Sequence, residues 1–201
     1  MPNWTYNSIR VTGSKDSLTK FMTDGLANAH EPEPEYGDGE TTLSLSSWIP
    51  TPETFRKYDT TNHPDGQGLK VGEKWWDGLG DHGDQVVTEE LIEEFKRATE
   101  EQRTKYGVVG WYDYNVKTFG CKWDSEVCVE SIGDTEINLS AETPWSAPDK
   151  WLRTISEKYP DLTFHLHAVY EEGFWEDLDF KEGREAEIGS GEYDWEEEEE
   201  M

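Results

Sequence analysis

The sequence predicts an α+β fold built on a split βαββαβ sheet with helices on one face. Residues 146–159 place apolar side chains at helical spacing and stop before Pro160, which predicts an amphipathic helix. Residues 162–170 alternate apolar and polar side chains, which predicts a strand with one buried face. The order of the remaining elements supplies the topology.

The N-terminal part predicts a strand, a helix, a second strand and a short helix. Residues 3–12 are rich in aromatic and β-branched side chains, and Ser14 can cap a helix that ends at Gly25. Residues 42–49 alternate leucine with serine, which predicts a strand with one solvated face. Thr51 followed by proline then suits the start of a short helix.

The middle of the chain predicts a long loop followed by a helix. Residues 59–85 are irregular and rich in glycine, and they contain the pair Trp75-Trp76. A loop of this length in a compact domain is usually functional or disordered, and the tryptophans predict that it docks onto something. A helix is predicted from Thr88 to about Gly107, with glutamates in its first turn.

The stretch "GWYDYNVKTFGCKWDSE", residues 110–126, allows two interpretations. Alternation within 112–117 would suit a strand, whereas the shared face of Trp111 and Tyr114 and the glycine stop at Gly120 favour a helix. The helix is the interpretation that we favour.

The same stretch interleaves rings with lysines, as a stacking platform for single-stranded nucleic acid would require. We favour core packing instead, with the rings beneath the sheet and the lysines paired with nearby acids, because a strongly negative chain repels phosphate. The residues concerned are Trp111, Tyr114, Phe119, Trp123, Lys117 and Lys122.

The C-terminal part predicts a strand at 121–132, a turn at Gly133-Asp134 and a partner strand at 136–142. Residues 175–180 and 185–189 could form a final weak hairpin.

Without the inserted segment, the element order is that of the ferredoxin-like fold. We therefore predict one domain over 1–186, with a long acidic insertion at roughly 26–86, and a disordered acidic tail over 187–201. The name describes topology alone, because the chain has only two cysteines and cannot supply the ligands of an iron–sulfur cluster.

Charge is the strongest compositional signal. Eighteen basic residues against 45 acidic ones give a net charge of −27. Such a field repels nucleic acid and anionic membranes and attracts basic proteins. The N-terminus lacks the features of a signal peptide, no run is long enough to span a membrane, and two cysteines form no secreted framework, so we expect a cytoplasmic protein.

Three segments resemble the YubB-like family. They are "MPNWTYNSIRVTG", "GWYDYNVKTFGCKWD" and "ETPWSAPDKWLRTISEKYPDLTFHLHAVYEEG", and they occur in the family's order. The resemblance implies a ferredoxin-like domain carried by bacteriophages and plasmids, with no established activity and no catalytic residues to transfer. The chain departs from the family pattern at Thr5, Tyr114, Phe119 and Cys121, and the acidic tail is not part of that pattern.

Catalytic and metal-binding motifs are weak or missing in the sequence. No P-loop, dinucleotide fingerprint or serine-nucleophile motif occurs, so we expect no enzyme and no cofactor. A zinc site on His165 and His167 with Cys121 and Cys128 has ligand types but no tight spacing, so we expect no metal.

The function predicted from charge is binding and inhibition of a basic host protein by a phage protein that mimics nucleic acid. Such partners include nucleases, restriction enzymes, CRISPR effectors and polymerases, in the host cytoplasm. Two alternatives remain open: the acids only keep the chain soluble, or the Trp75-Trp76 loop serves as a hydrophobic adaptor. The predicted partner-binding acids are Glu31, Glu33, Glu35, Asp38, Glu171, Glu172, Glu176, Asp177, Asp179, Glu196, Glu197, Glu198, Glu199 and Glu200.

Overall fold

A computed structural model describes residues 3–29, 42–75 and 85–193. In chain order the elements are β1 (Trp4–Thr12), α1 (Lys15–Leu26), α2 (Leu45–Trp48), α3 (Glu53–Arg56), β2 (Lys74–Trp75), β3 (Gln85–Val86), α4 (Glu89–Glu101), α5 (Gly110–Thr118), β4 (Cys128–Ile132), β5 (Glu136–Pro144), α6 (Asp149–Lys158), β6 (Thr163–Tyr170), β7 (Phe174–Lys181) and β8 (Arg184–Glu192). They fall into two compact units, one from 1–50 with 118–201 and one from 51–117. No helix in the described ranges is long and apolar enough to cross a membrane.

The first unit contains a six-stranded antiparallel sheet in the order β4-β5-β1-β6-β7-β8. Strands β1, β4, β5 and β6 with helices α1 and α6 form the predicted split βαββαβ arrangement. The C-terminal hairpin β7–β8 adds two strands beside β6.

One face of this sheet carries the core. Ile9 and Val11 of β1 are fully buried and lie in one hydrophobic cluster with Phe21 of α1 and Trp151 of α6. The intervening side chains of β1, including Arg10, point away from the helices and are exposed. The helices therefore cover one face, as predicted, and a second face remains open on the described strands.

The predicted strand at 42–49 is wrong, because this segment forms helix α2. The Ser44 N–H donates to Ser47 Oγ at 2.9 Å, and the Ser46 N–H donates to Asp124 Oδ1 at 2.8 Å. These bonds satisfy the backbone donors that the first turn of a helix leaves without partners. The turn also buries Trp48, which stacks on Phe21 with ring centroids 4.9 Å apart.

The C-terminal hairpin is longer than the sequence indicated. Strands β7 and β8 have eight and nine residues, and β8 continues to Glu192, past the predicted start of the tail at 187. The second unit occupies 51–117. Within this unit the ring of Phe55 in α3 lies 5.2 Å from that of Tyr106.

The second unit contains the predicted helix after Thr88 and the favoured helix of the 110–126 stretch. Thr88 caps α4, which continues through a π-helical turn at Gln102–Tyr106 to Gly107. Phe55 stacks on Tyr114 of α5 at 4.3 Å. Buried Gln102 Oε1 accepts hydrogen bonds from the Thr60 hydroxyl at 2.7 Å and from the Gly110 N–H at 2.9 Å. Its Nε2 donates to the Thr54 carbonyl at 2.6 Å, so the amide is satisfied.

Candidate functional site: an acidic hairpin beside exposed tryptophans

The C-terminal hairpin concentrates negative charge on an ordered element. Residues 171–192 contain nine acids against Lys181 and Arg184, a net charge of −7. All 22 residues lie within the described part of the chain, and most belong to β7 and β8. Some of the acids that the sequence analysis assigned to a weak hairpin and a tail therefore lie on strands of the sheet.

Two of the predicted acids brace the start of β1. Glu171 Oε2 accepts from the Trp4 N–H at 2.8 Å, and Glu172 Oε1 accepts from Asn3 Nδ2 at 2.6 Å. These bonds fix the carboxylates beside the first strand.

Glu176 has a structural partner. It accepts a hydrogen bond from the Tyr170 hydroxyl, and burial followed by this contact raises the pKa of that phenol. Tyr170 is buried and stacks on Phe174 with centroids 4.0 Å apart. Glu176 therefore satisfies the hydroxyl of a buried tyrosine.

Asp177 and Asp179 lie on the open face and pair with histidines of the neighbouring strand. His167 Nδ1 is 2.7 Å from Asp177 Oδ1, and His165 Nδ1 is 2.8 Å from Asp179 Oδ1. The strand register places each histidine directly opposite its aspartate. The two pairs form a polar ladder between β6 and β7.

Four hairpin acids were missed in the sequence analysis. They are Glu182, Glu185, Glu187 and Glu192. Glu185 pairs with Arg153 of α6 at 2.7 Å, Glu182 pairs with Arg184 at 2.7 Å, and Glu187 accepts from Ser190 at 2.9 Å. The sequence signal for three of them was their placement among the small residues of the segment that forms β8.

Most of the remaining predicted residues are not among those that the structure describes. Glu31, Glu33, Glu35, Asp38, Trp76 and Glu196 to Glu200 lie outside the described residues. Trp75 ends the short strand β2 in the second unit.

The open face also holds a concavity of about 520 Å³. Its lining includes Ser8, Arg10, Asn138, Ser140, His165 and His167. Among residues 3–29, 42–75 and 85–193, no group of three or more histidines, cysteines and acids could hold a metal ion. In the part of the chain described, Cys121, Cys128, His165 and His167 therefore do not come together as a set of metal ligands.

Four rings of the 110–126 stretch were predicted to pack beneath the sheet, and only Phe119 lies in that core. Tyr114 packs on Phe55 in the second unit, and Trp111 is half-buried. Tyr114 and Phe119 are buried, each in its own unit, but Trp123 is 37% exposed. Its ring lies 6.0 Å from that of Trp4.

The two lysines of the stretch contact a backbone carbonyl and two indole rings. Lys117 donates to the Tyr106 carbonyl at 2.6 Å. The Lys122 ammonium lies 4.9 Å from the ring centroid of Trp123 and 4.7 Å from that of Trp145. Three tryptophans and a lysine thus meet at one end of β1, a cluster that depends on tertiary contacts and not on sequence spacing.

Trp145 adopts a left-handed backbone conformation, with φ of 70°, and is 48% exposed. A bulky residue rarely takes this conformation. Here the surroundings fix it, because the Trp145 N–H donates to the Asn3 carbonyl at 2.8 Å and Ser146 Oγ donates to the Gly120 carbonyl at 2.7 Å.

Comparison with known proteins supports the fold of the C-terminal part. Residues 120–201 match a family model described as the ferredoxin-like domain in Api92-like protein. The crystal structure of a protein api92 from Yersinia pseudotuberculosis is similar with a TM-score of 0.47 and 11% identity, over 96% of this chain and 99% of that one. No curated protein matches the chain. The resemblance to the YubB-like family stays a prediction.

Proposed function

We propose that this protein is a non-enzymatic, phage-encoded inhibitor that uses its acidic surface to occupy the nucleic-acid groove of a basic host protein in the cytoplasm. One observation carries the proposal: a net charge of −7 lies on residues 171–192, within and beside an ordered hairpin. Phage origin rests on the resemblance to the YubB-like family.

A mimic of nucleic acid holds its carboxylates at set positions, whereas acids that only keep a protein soluble need no fixed arrangement. Asp177 and Asp179 are two residues apart on one face of β7, which is about 6.8 Å at the rise of an antiparallel strand. That is about twice the 3.4 Å axial spacing of phosphates on one DNA strand. Their histidine partners hold them in place, so a basic groove meets charges that need little ordering on binding.

Competition with DNA tests the proposal directly. The chain is immobilised, host lysate is passed over it, and bound protein is eluted either with a salt series or with excess duplex DNA at low salt. We expect a nucleic-acid-binding protein to elute in mild salt and to be displaced by the duplex, because both ligands use the same groove.

A matched pair of variants locates the surface. Glu187→Gln/Glu192→Gln removes two charges from the hairpin, and Glu89→Gln/Glu90→Gln removes two from the first turn of α4. We expect only the first variant to weaken capture. Partners that stay bound under excess duplex DNA, or that remain at about 1 M salt, where the Debye length is about 3 Å, would contradict the mimicry.

A further inference from the structure

The rings of Trp123 and Trp145 both contact the Lys122 ammonium, and we call this pair of rings the Trp123–Trp145 clamp. Both ring centroids lie within 5 Å of the Lys122 ammonium, inside the roughly 6 Å range of cation–π attraction. The two rings therefore lie where both can attract the same side-chain cation.

The rings are accessible from solvent. Trp123 is 37% exposed and Trp145 is 48% exposed. Exposed tryptophan is uncommon on a surface that is otherwise strongly charged, and tryptophan is enriched where interfaces concentrate their binding energy.

A hydrogen bond holds the strained backbone of Trp145 in place. Its φ of 70° would suit glycine, yet the hydrogen bond from its N–H to Asn3 ties the turn to the start of β1. Strained residues held by their surroundings occur preferentially at functional sites.

Carboxylates lie around the same end of the sheet. Glu171 and Glu172 bond to Trp4 and Asn3. Burial and the nearby charges of Glu171 and Glu142 raise the pKa of Tyr6, the next outward residue of β1. An aromatic centre with an acidic rim fits a cationic partner and opposes a phosphate.

We propose that the Trp123–Trp145 clamp receives an arginine side chain of the basic partner, and that Lys122 leaves the clamp when the arginine enters. The planar guanidinium stacks on aromatic faces, and its donors can also reach rim carboxylates, whereas an ammonium is held as a point charge. This inference rests on the proposed function and identifies where the acidic surface gains its specificity.

The test compares octa-arginine with octa-lysine peptides by isothermal titration calorimetry at fixed low salt. The two peptides carry equal charge, so general attraction to the acidic surface affects both alike. The planar guanidinium can stack on the rings and also donate to rim carboxylates, so we expect octa-arginine to bind about fivefold to tenfold more tightly than octa-lysine. Trp123→Leu and Trp145→Leu are each expected to abolish this difference, by weakening octa-arginine binding more than octa-lysine binding.

Two further variants control the result. Tyr112→Leu removes an exposed ring of the second unit and is expected to keep the full preference for arginine. Lys122→Gln removes the internal competitor and is expected to increase the preference. Circular dichroism and a thermal melt establish that each variant is folded.

The outcomes separate the clamp from the proposed function. If octa-arginine and octa-lysine bind equally well, the clamp proposal is overturned while the acidic surface stands. If neither peptide binds at low salt, both proposals fail. If a single-stranded oligonucleotide binds and requires Trp123 and Trp145, the clamp stacks bases and the arginine proposal is wrong.

Discussion

Cys121 and Cys128 are close in sequence but lie in different environments. Cys121 is 1% exposed and its thiol donates to the Trp123 carbonyl at 3.3 Å. Burial, aided by the charges of Asp124 and Asp149, raises the pKa of Cys121 to about 12. Cys128 is exposed on an edge strand, and partial burial together with Glu126 and Glu130 also raises the pKa of its thiol.

These environments predict selective and slow alkylation. A raised pKa means less thiolate at a given pH, and the thiolate is the reactive form. With iodoacetamide at pH 8 we expect modification of Cys128 alone, more slowly than that of a free thiol, and modification of both cysteines in urea. Peptide mass spectrometry reads the sites.

Salt provides the control for this prediction. Screening of Glu126 and Glu130 by sodium chloride should accelerate the reaction of Cys128 and leave Cys121 protected. Rapid modification of Cys121 in the native protein would show that its thiol is not buried as described.

At the scale of elements, close approach between α1 and α2 depends on a glycine. A Cβ atom built on Gly25 would lie 2.5 Å from Cε2 of Trp48. The indole cannot withdraw easily, because it stacks on Phe21 and its Nε1–H donates to the Phe21 carbonyl at 2.9 Å. Packing here outweighs the low helix propensity of glycine.

Gly25→Ala should therefore destabilise the protein. Alanine would gain up to about 1 kcal/mol in helix propensity, but overpacking costs about 1–3 kcal/mol. We expect a net loss in the free energy of unfolding, measured by urea denaturation.

A double-mutant cycle identifies the cause of that loss. In a Trp48→Leu background the clash is relieved, so Gly25→Ala should become neutral or stabilising. An equal loss in both backgrounds would rule out the contact with Trp48 as its origin.

The elements that sequence patterns predicted are those whose hydrophobic period is set by one buried face. Helix α6 and strand β6 are of this kind, and their apolar residues lie in the core as expected. The segment 42–49 was mispredicted because its leucine–serine alternation resembles a strand, while the helix depends on Asp124, about 80 residues away.

The sequence predicted only part of the site, again because contacts between distant segments leave no local pattern. Local composition marked the acids at 171–179, but their partners come from other strands, as His165 does for Asp179. Nothing in the spacing of Trp4, Trp123 and Trp145 indicates that they meet. The rings belong to three distant chain segments, which only the tertiary structure brings together.

At the scale of the whole molecule, a net charge of −27 over 201 residues opposes the folded state. Like charges repel more strongly in a compact chain than in an unfolded one. Exposed ion pairs such as Lys15–Asp134, at 2.9 Å, act in the opposite sense, but each contributes at most about 1 kcal/mol. Basic residues are too few to pair with most of the acids, so repulsion should dominate.

This balance predicts that salt raises the melting temperature. Between 10 mM and 150 mM sodium chloride the Debye length falls from about 30 Å to about 8 Å, which screens distant repulsion more than close pairs. A gain of about 1 kcal/mol corresponds to a rise of about 2–4 °C for a chain of this length. Chloride is the suitable anion, because sulfate stabilises proteins by exclusion from their surface.

Differential scanning calorimetry at constant pH measures the effect, and a melting temperature that falls with salt would show that ion pairs outweigh repulsion. The hairpin variant Glu187→Gln/Glu192→Gln should have a smaller salt response than the parent, because it carries two fewer charges to repel.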